Sequence, residues 1–259
     1  MSTSGAAEAV VYDAARTPCG RGRPGGALHA VKPVSLVAGL ADEIRKRNPT
    51  LDVDRLADLI LGVATPVGDQ GGDLARAAAL VAGLPETVGG VVVNRVGASG
   101  LEAVNLAAWR IRAAGDALLL AGGVESMSRL PAGLDGGPWA NDPATNYLTR
   151  YVPPGVAADL LATVAGLGRD DLDAFAARSR ARATQAWSDG RFAGTVVAVH
   201  DHGLPVLDRD ERVGDALPRF GGPEAVAAFL ARLVPAFAQA GEQAGFDTVA
   251  LARYHWLER

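Results

Sequence analysis

The sequence is poor in several things at once. Its 259 residues hold one cysteine, Cys19, so no intrachain disulfide can form, and no C-x-x-C or histidine pair has zinc-ligand spacing. Lys32 and Lys46 are the only lysines among 25 basic residues, which face 29 acidic ones. The resulting formal charge of −4 provides no overall positive field to attract nucleic acid or anionic lipid. No apolar run reaches the roughly 18–20 residues that span a bilayer. Residues 1–9 also lack the basic start and apolar stretch of a secretory signal. These absences predict a soluble, cytoplasmic protein with no membrane, nucleic-acid or metal role.

What is present is texture in two halves. From residue 9 to about 129, short β-like runs alternate with helical patterns. Strands are predicted at 9–12, 59–62, 91–94 and 117–121. Helices are predicted at 34–47, at 73–82 with Gly83 as its stop, and at 99–114. Near-continuous apolar strands alternating with helices predict an α/β fold, with a mostly parallel sheet covered on both faces. After Arg129 the pattern changes. Residues 131–154, rich in Gly, Pro, Asn and Asp, read as loop. Helices are then expected at 157–165, from just after Arg169 to about 188, and at 223–239, with a strand at 195–199 and charged, irregular surface over 201–222. Residues 1–129 therefore read as an α/β core and 130–259 as an inserted loop domain.

The most informative stretch is Asn94-Arg95-Val96-Gly97-Ala98-Ser99-Gly100-Leu101, where a buried strand turns sharply into a helix. Backbone N–H groups and the helix dipole converge at such a turn and favour an oxyanion or thiolate. The apex residue here, Gly97, has no side chain to attack with.

With that elbow, the chain resembles the thiolase (acetyl-CoA acetyltransferase, 3-ketoacyl-CoA thiolase) family over essentially its whole length. The matching segments are 13–18 (DAARTP), 62–72 (GVATPVGDQGG), 73–76, 94–100, 121–128 (AGGVESMS), 142–147 (DPATNY), 169–179, 233–237 and 246–256. The resemblance implies a layered α/β fold with an inserted CoA-side loop domain. It also implies acyl transfer between coenzyme A and a 3-ketoacyl-CoA in fatty-acid metabolism, with no tightly bound cofactor.

Two departures qualify that expectation. The family's N-R-x-C-x-S-G elbow places the acyl-accepting cysteine where this chain has Gly97. The family's A-G-N-x-S-G strand, N-E-A-F asparagine, G-H-P histidine and C-x-G-G cysteine do not occur in these 259 residues, so the family's C-terminal half is expected to be absent. Thiolase chemistry needs a thiolate, a base and an oxyanion hole together. Ser99 reads as a helix-start residue capping backbone N–H groups, and Cys19 as an inert thiol at a variable family position. His200 and His202 read as solvated, and Asp170, Asp171 and Asp173 as a solvated helix start. For coenzyme A, the resemblance offers Arg212 or Arg219 as the basic residue near the nucleotide end. It also places Ala236 and Phe237 along the pantetheine channel, although Phe237 serves equally as core. Gly155, Ala158 and Asp159 match the family's M-G-x-x-A-E loop, with Pro154 in place of the methionine.

Three readings follow. The chain is a catalytically incompetent thiolase relative, the N-terminal half of a split thiolase completed by a C-terminal-half partner, or a thiolase-fold lyase (aldolase) subunit needing a partner. A sheet lacking its last strand would leave an open edge, so a homo-oligomer or a partner is expected.

Overall fold

The computed structural model describes residues 8–114, 117–130 and 133–213. These fall into two compact units, one comprising the chain up to Asp135 with Gln185–Val213, the other Gly136–Thr184.

The first unit is an α/β layer arrangement. Its elements in chain order are α1 (Pro33–Arg47), β1 (Leu56–Gly62), α2 (Leu74–Val81), β2 (Gly89–Val93), α3 (Ser99–Ala114) and β3 (Leu118–Gly123). The strands form a parallel sheet in the order β2-β1-β3, with Gly62 opposite both Val93 and Gly123. Alternation along β1 sorts the core. Leu59 and Leu61 pack with Ala38 and Ala41 of α1 and with Leu74, Ala75, Ala78 and Ala79 of α2. Ile60 points the other way, to Ala103 and Ala107 of α3. Helix ends follow their local chemistry. Pro33 opens α1, and Arg45, Lys46 and Arg47 face the negative end of its dipole. The Asp73 side chain caps α2 by accepting the Arg76 N–H at 3.1 Å.

Three expectations are corrected. Residues 9–12 do not form a strand: Val10, Val11 and Tyr12 are 55%, 74% and 84% exposed, and among the described residues no neighbouring strand offers them a hydrogen-bond ladder. The strand expected at 195–199 shrinks to a single bridge between Arg16 and Val196. Pairing instead starts at Val199, where β4 (Val199–Asp201) and β5 (Leu204–Leu207) make a hairpin inside the stretch read as irregular. Its turn runs through His202 in the left-handed region and Gly203.

The third correction lies in the second unit, where the expected loop over 131–154 contains α4 (Pro138–Asn141) and α5 (Pro143–Thr149). Proline favours the first turn of each, and Asp142 caps α5 through the Ala144 and Thr145 N–H groups. The Trp139 and Tyr151 rings stack at 5.5 Å. Two longer helices, α6 (Pro154–Val164) and α7 (Arg169–Ser188), complete the described elements. At the start of α7 the exposed Asp171 carboxylate accepts the Gly168 N–H at 2.9 Å and caps the helix, in keeping with the solvated helix start expected there. No helix among the described residues is long and apolar enough to cross a membrane.

Candidate functional site

The carboxyl ends of parallel strands are where α/β sheets present their chemistry, and here β1, β2 and β3 all end at one turn. Glycine makes that turn possible. A Cβ on Gly62 would lie 2.2 Å from the Ser99 carbonyl, and one on Gly123 would lie 3.0 Å from the Gly100 Cα. The first turn of α3 therefore rests directly on the backbone of β1 and β3.

Side chains then lock the elbow. Asn94 donates through Nδ2 to the Ala64 carbonyl (3.0 Å), and its Oδ1 accepts the Val96 N–H (2.8 Å). The buried Ser99 hydroxyl accepts the Arg95 N–H (2.9 Å) and donates to the Val96 carbonyl (2.6 Å). Ser99 thus ties the turn that precedes its helix and does not cap the helix as the sequence suggested. With its oxygen engaged in both directions, it is also no substitute nucleophile. Val96 adopts φ 49°, a conformation that a β-branched residue avoids unless its surroundings impose it.

Behind the elbow a carboxylate network holds the neighbouring loops. Glu125 accepts the Ala64 N–H (2.8 Å) and the Gln70 Nε2–H (3.1 Å). The fully buried Gln70 also donates to the Thr65 carbonyl and accepts the Ser126 N–H. Sequence reasoning used these residues only as matches in GVATPVGDQGG and AGGVESMS. A glutamate and a glutamine in otherwise small, apolar strand ends were the available signal, since such groups are buried only when paired.

At the apex, Gly97 is exposed, its φ lies outside the left-handed region, and a Cβ built on it would meet nothing within 4 Å. The backbone here tolerates an ordinary side chain. Gly97 itself brings no side chain to the apex.

Arg212, the other described candidate, belongs to a second cluster in the same unit. Asp210 accepts both Nη groups of Arg16 (2.7 and 3.0 Å), the Cys19 N–H (2.8 Å) and the Trp187 Nε1–H (3.1 Å). Glu211 accepts the Arg21 and Ala27 N–H groups at 2.7 and 3.1 Å. Arg212 follows them, exposed. Arg219, Ala236 and Phe237 lie outside the described residues, as does the helix expected at 223–239. Cys19 is exposed, yet partial desolvation and then the Asp210 carboxylate push its thiol up, against the pull of Arg16. Neutral at ordinary pH, such a thiol is a poor nucleophile. His200 and His202 are exposed, and among the described residues no three metal-ligating side chains come together.

The cluster has a pH signature. Burial works to raise the Asp210 carboxyl, but the Arg16 guanidinium and the Cys19 and Trp187 donors together outweigh it and hold it low. Glu211 is held low chiefly by the Arg21 N–H, against burial. Groups depressed in the folded state stabilise it fully above the unfolded carboxylate range and lose that contribution as pH falls through their folded values. The urea midpoint, followed by tryptophan fluorescence, should therefore drop as the pH falls below about 4. Asp210→Asn should remove about 1–2 kcal/mol of this acid-sensitive stability. An unchanged acid limb in that variant would show that the cluster contributes nothing.

The family described as thiolase, N-terminal domain, matches residues 9–245. The chain is 39% identical over 208 residues to the 3-oxoadipyl-CoA/3-oxo-5,6-dehydrosuberyl-CoA thiolase of Escherichia coli K12, covering 74% of this chain and 51% of that protein. It is 35% identical over 236 residues to the 3-ketoacyl-CoA thiolase of Colwellia psychrerythraea, covering 89% and 58% respectively. The crystal structure of the Bacillus anthracis acetyl-CoA acetyltransferase superposes with a TM-score of 0.68 at 28% identity, over 85% of this chain and 61% of that one. The chain spans about half the length of the curated relatives it matches.

Proposed function

The chain belongs to the thiolase family, and from that premise we propose that it binds coenzyme A and 3-ketoacyl-CoA without transferring the acyl group by itself. The observation that carries this reading is Gly97 at the apex of an otherwise complete elbow. In thiolysis a thiolate attacks the 3-keto carbonyl, an N–H at the elbow holds the oxyanion, and a base manages the proton. With hydrogen in place of a thiol, no bond to the acyl carbon can form at this position. The remaining cysteine, Cys19, is kept protonated within another cluster.

The substrate class is supported by the relatives' names, which specify 3-oxoadipyl-CoA and 3-ketoacyl-CoA. Coenzyme A would be held by Arg212 or Arg219 at its phosphates and by Ala236 and Phe237 along its pantetheine arm. A second reading, in which a separate polypeptide supplies the family's histidine and second cysteine, is supported by the exposed apolar residues Leu101 (66%) and Trp109 (55%) of α3.

Thiolysis of acetoacetyl-CoA by the purified chain tests the proposal. The expected rate equals the protein-free blank, while coenzyme A still binds by calorimetry. Turnover by the chain alone at about 1 s⁻¹ or faster, the ordinary range for enzymes, would overturn it.

A further inference from the structure

We propose that Glu125 is a positioning residue for the elbow, holding its apex through a directed chain of hydrogen bonds. Glu125 lies two residues beyond β3, Ala64 two beyond β1 and Asn94 immediately beyond β2. The chain therefore follows the strand order β3-β1-β2 across the carboxyl ends of the sheet.

Every link points the same way. One oxygen of the Glu125 carboxylate accepts the Ala64 N–H at 2.8 Å and the Thr65 N–H at 3.3 Å. The Thr65 N–H and the Ala64 carbonyl belong to one peptide group, and that carbonyl accepts Asn94 Nδ2–H at 3.0 Å. Asn94 Oδ1 then accepts the Val96 N–H at 2.8 Å. The peptide that carries the Val96 N–H carries the Arg95 carbonyl too, which accepts the Ala98 N–H at 3.0 Å. Three amide groups thus stand head to tail between a carboxylate and Ala98, the residue after the apex. Aligned amides polarise one another, and a charged acceptor at the origin strengthens the series.

The origin is itself anchored. The second oxygen of Glu125 accepts the Nε2–H of the fully buried Gln70 at 3.1 Å, and Gln70 donates as well to the Thr65 carbonyl at 3.0 Å. At the other end the chain holds a strained turn. Val96 sits at φ 49°, which persists only where the surroundings over-determine it. Ser99 braces this turn from the helix side, and Glu125 braces it from the sheet side.

The test reads amide hydrogen exchange by NMR in the full chain. Glu125→Ala and Asn94→Ala should each speed exchange at Val96 and Ala98 about tenfold, the loss of one hydrogen-bonded link. The double variant should be no faster than Asn94→Ala alone, because Glu125 acts through Asn94. Exchange at Ala103 and Ala107, in the packed part of α3, should stay within about twofold, which general destabilisation would not spare. Glu125→Gln keeps an oxygen for the Ala64 and Thr65 N–H groups and should bring the Val96 rate back to within about twofold of the unaltered chain. At the apex itself, Glu125→Ala in a Gly97→Cys background should slow iodoacetamide labelling of the introduced thiol about tenfold, with Cys19 as internal reference. Unchanged Val96 exchange in Glu125→Ala, effects that multiply in the double variant, or exchange rising equally along α3 would overturn the proposal. So would apex labelling that does not slow. Glu125→Gln behaving as Glu125→Ala would overturn it too, since charge and not the placed oxygen would then act.

Discussion

Gly97→Cys should yield a folded protein whose new thiol alkylates at least about tenfold faster than Cys19 at neutral pH. The expectation has two parts. Sterically, a Cβ at this position meets no atom within 4 Å and the backbone is outside the left-handed region, so stability should move by no more than about 0.5 kcal/mol. Electrostatically, the thiol would stand at the N-terminal end of α3, a 16-residue helix whose dipole favours a negative charge there. Cys19 has the opposite surroundings, desolvated and beside a carboxylate. Timed iodoacetamide labelling followed by peptide mass spectrometry separates the two sites. Equal rates would mean that the elbow exerts no useful field on its apex, and the comparison with a nucleophile-bearing turn would fail.

Gly62→Ala should have the largest effect on stability, about 3 kcal/mol or more. The added Cβ would fall 2.2 Å from the Ser99 carbon and oxygen and 2.4 Å from the Gly100 nitrogen, all backbone atoms that no rotamer change can move aside. The helix would have to lift off the sheet, taking Ala103 and Ala107 away from Ile60. Gly100→Ala is the matched control. Its Cβ would meet the Gly123 Cα at 3.7 Å and the Gly123 nitrogen at 3.8 Å, ordinary contacts, so the gain in helix propensity of up to about 1 kcal/mol should prevail. Urea midpoints of the two variants should thus move in opposite directions. A Gly62→Ala protein as stable as the parent would refute the close helix–sheet contact.

The elements that the sequence made legible are those with strong internal periodicity. The helix expected at 99–114 is observed at Ser99–Ala114, that expected at 34–47 at Pro33–Arg47, and the strand at 59–62 inside Leu56–Gly62. Residues 9–12 had strand composition too, but a strand is a property of two neighbours, and composition reports only one. The short helices after Pro138 and Pro143 were hidden because glycine, proline and asparagine mark turns and helix starts alike. At the site, the elbow and its glycine apex were readable from local spacing. The Asp210 hub was not, because its partner Arg16 lies 194 residues away and no local pattern encodes that pairing.

Val96 has one more consequence. A valine held at φ 49° is not a relaxed loop waiting for a ligand to shape it. The strain, of order 1–3 kcal/mol, is already met by Asn94, Ser99 and the glycine contacts of the resting chain. Whatever docks against the elbow therefore loses little loop entropy and induces little rearrangement. Association there should resemble a rigid-body encounter, with its rate set by diffusion and access and not by a preceding conformational step.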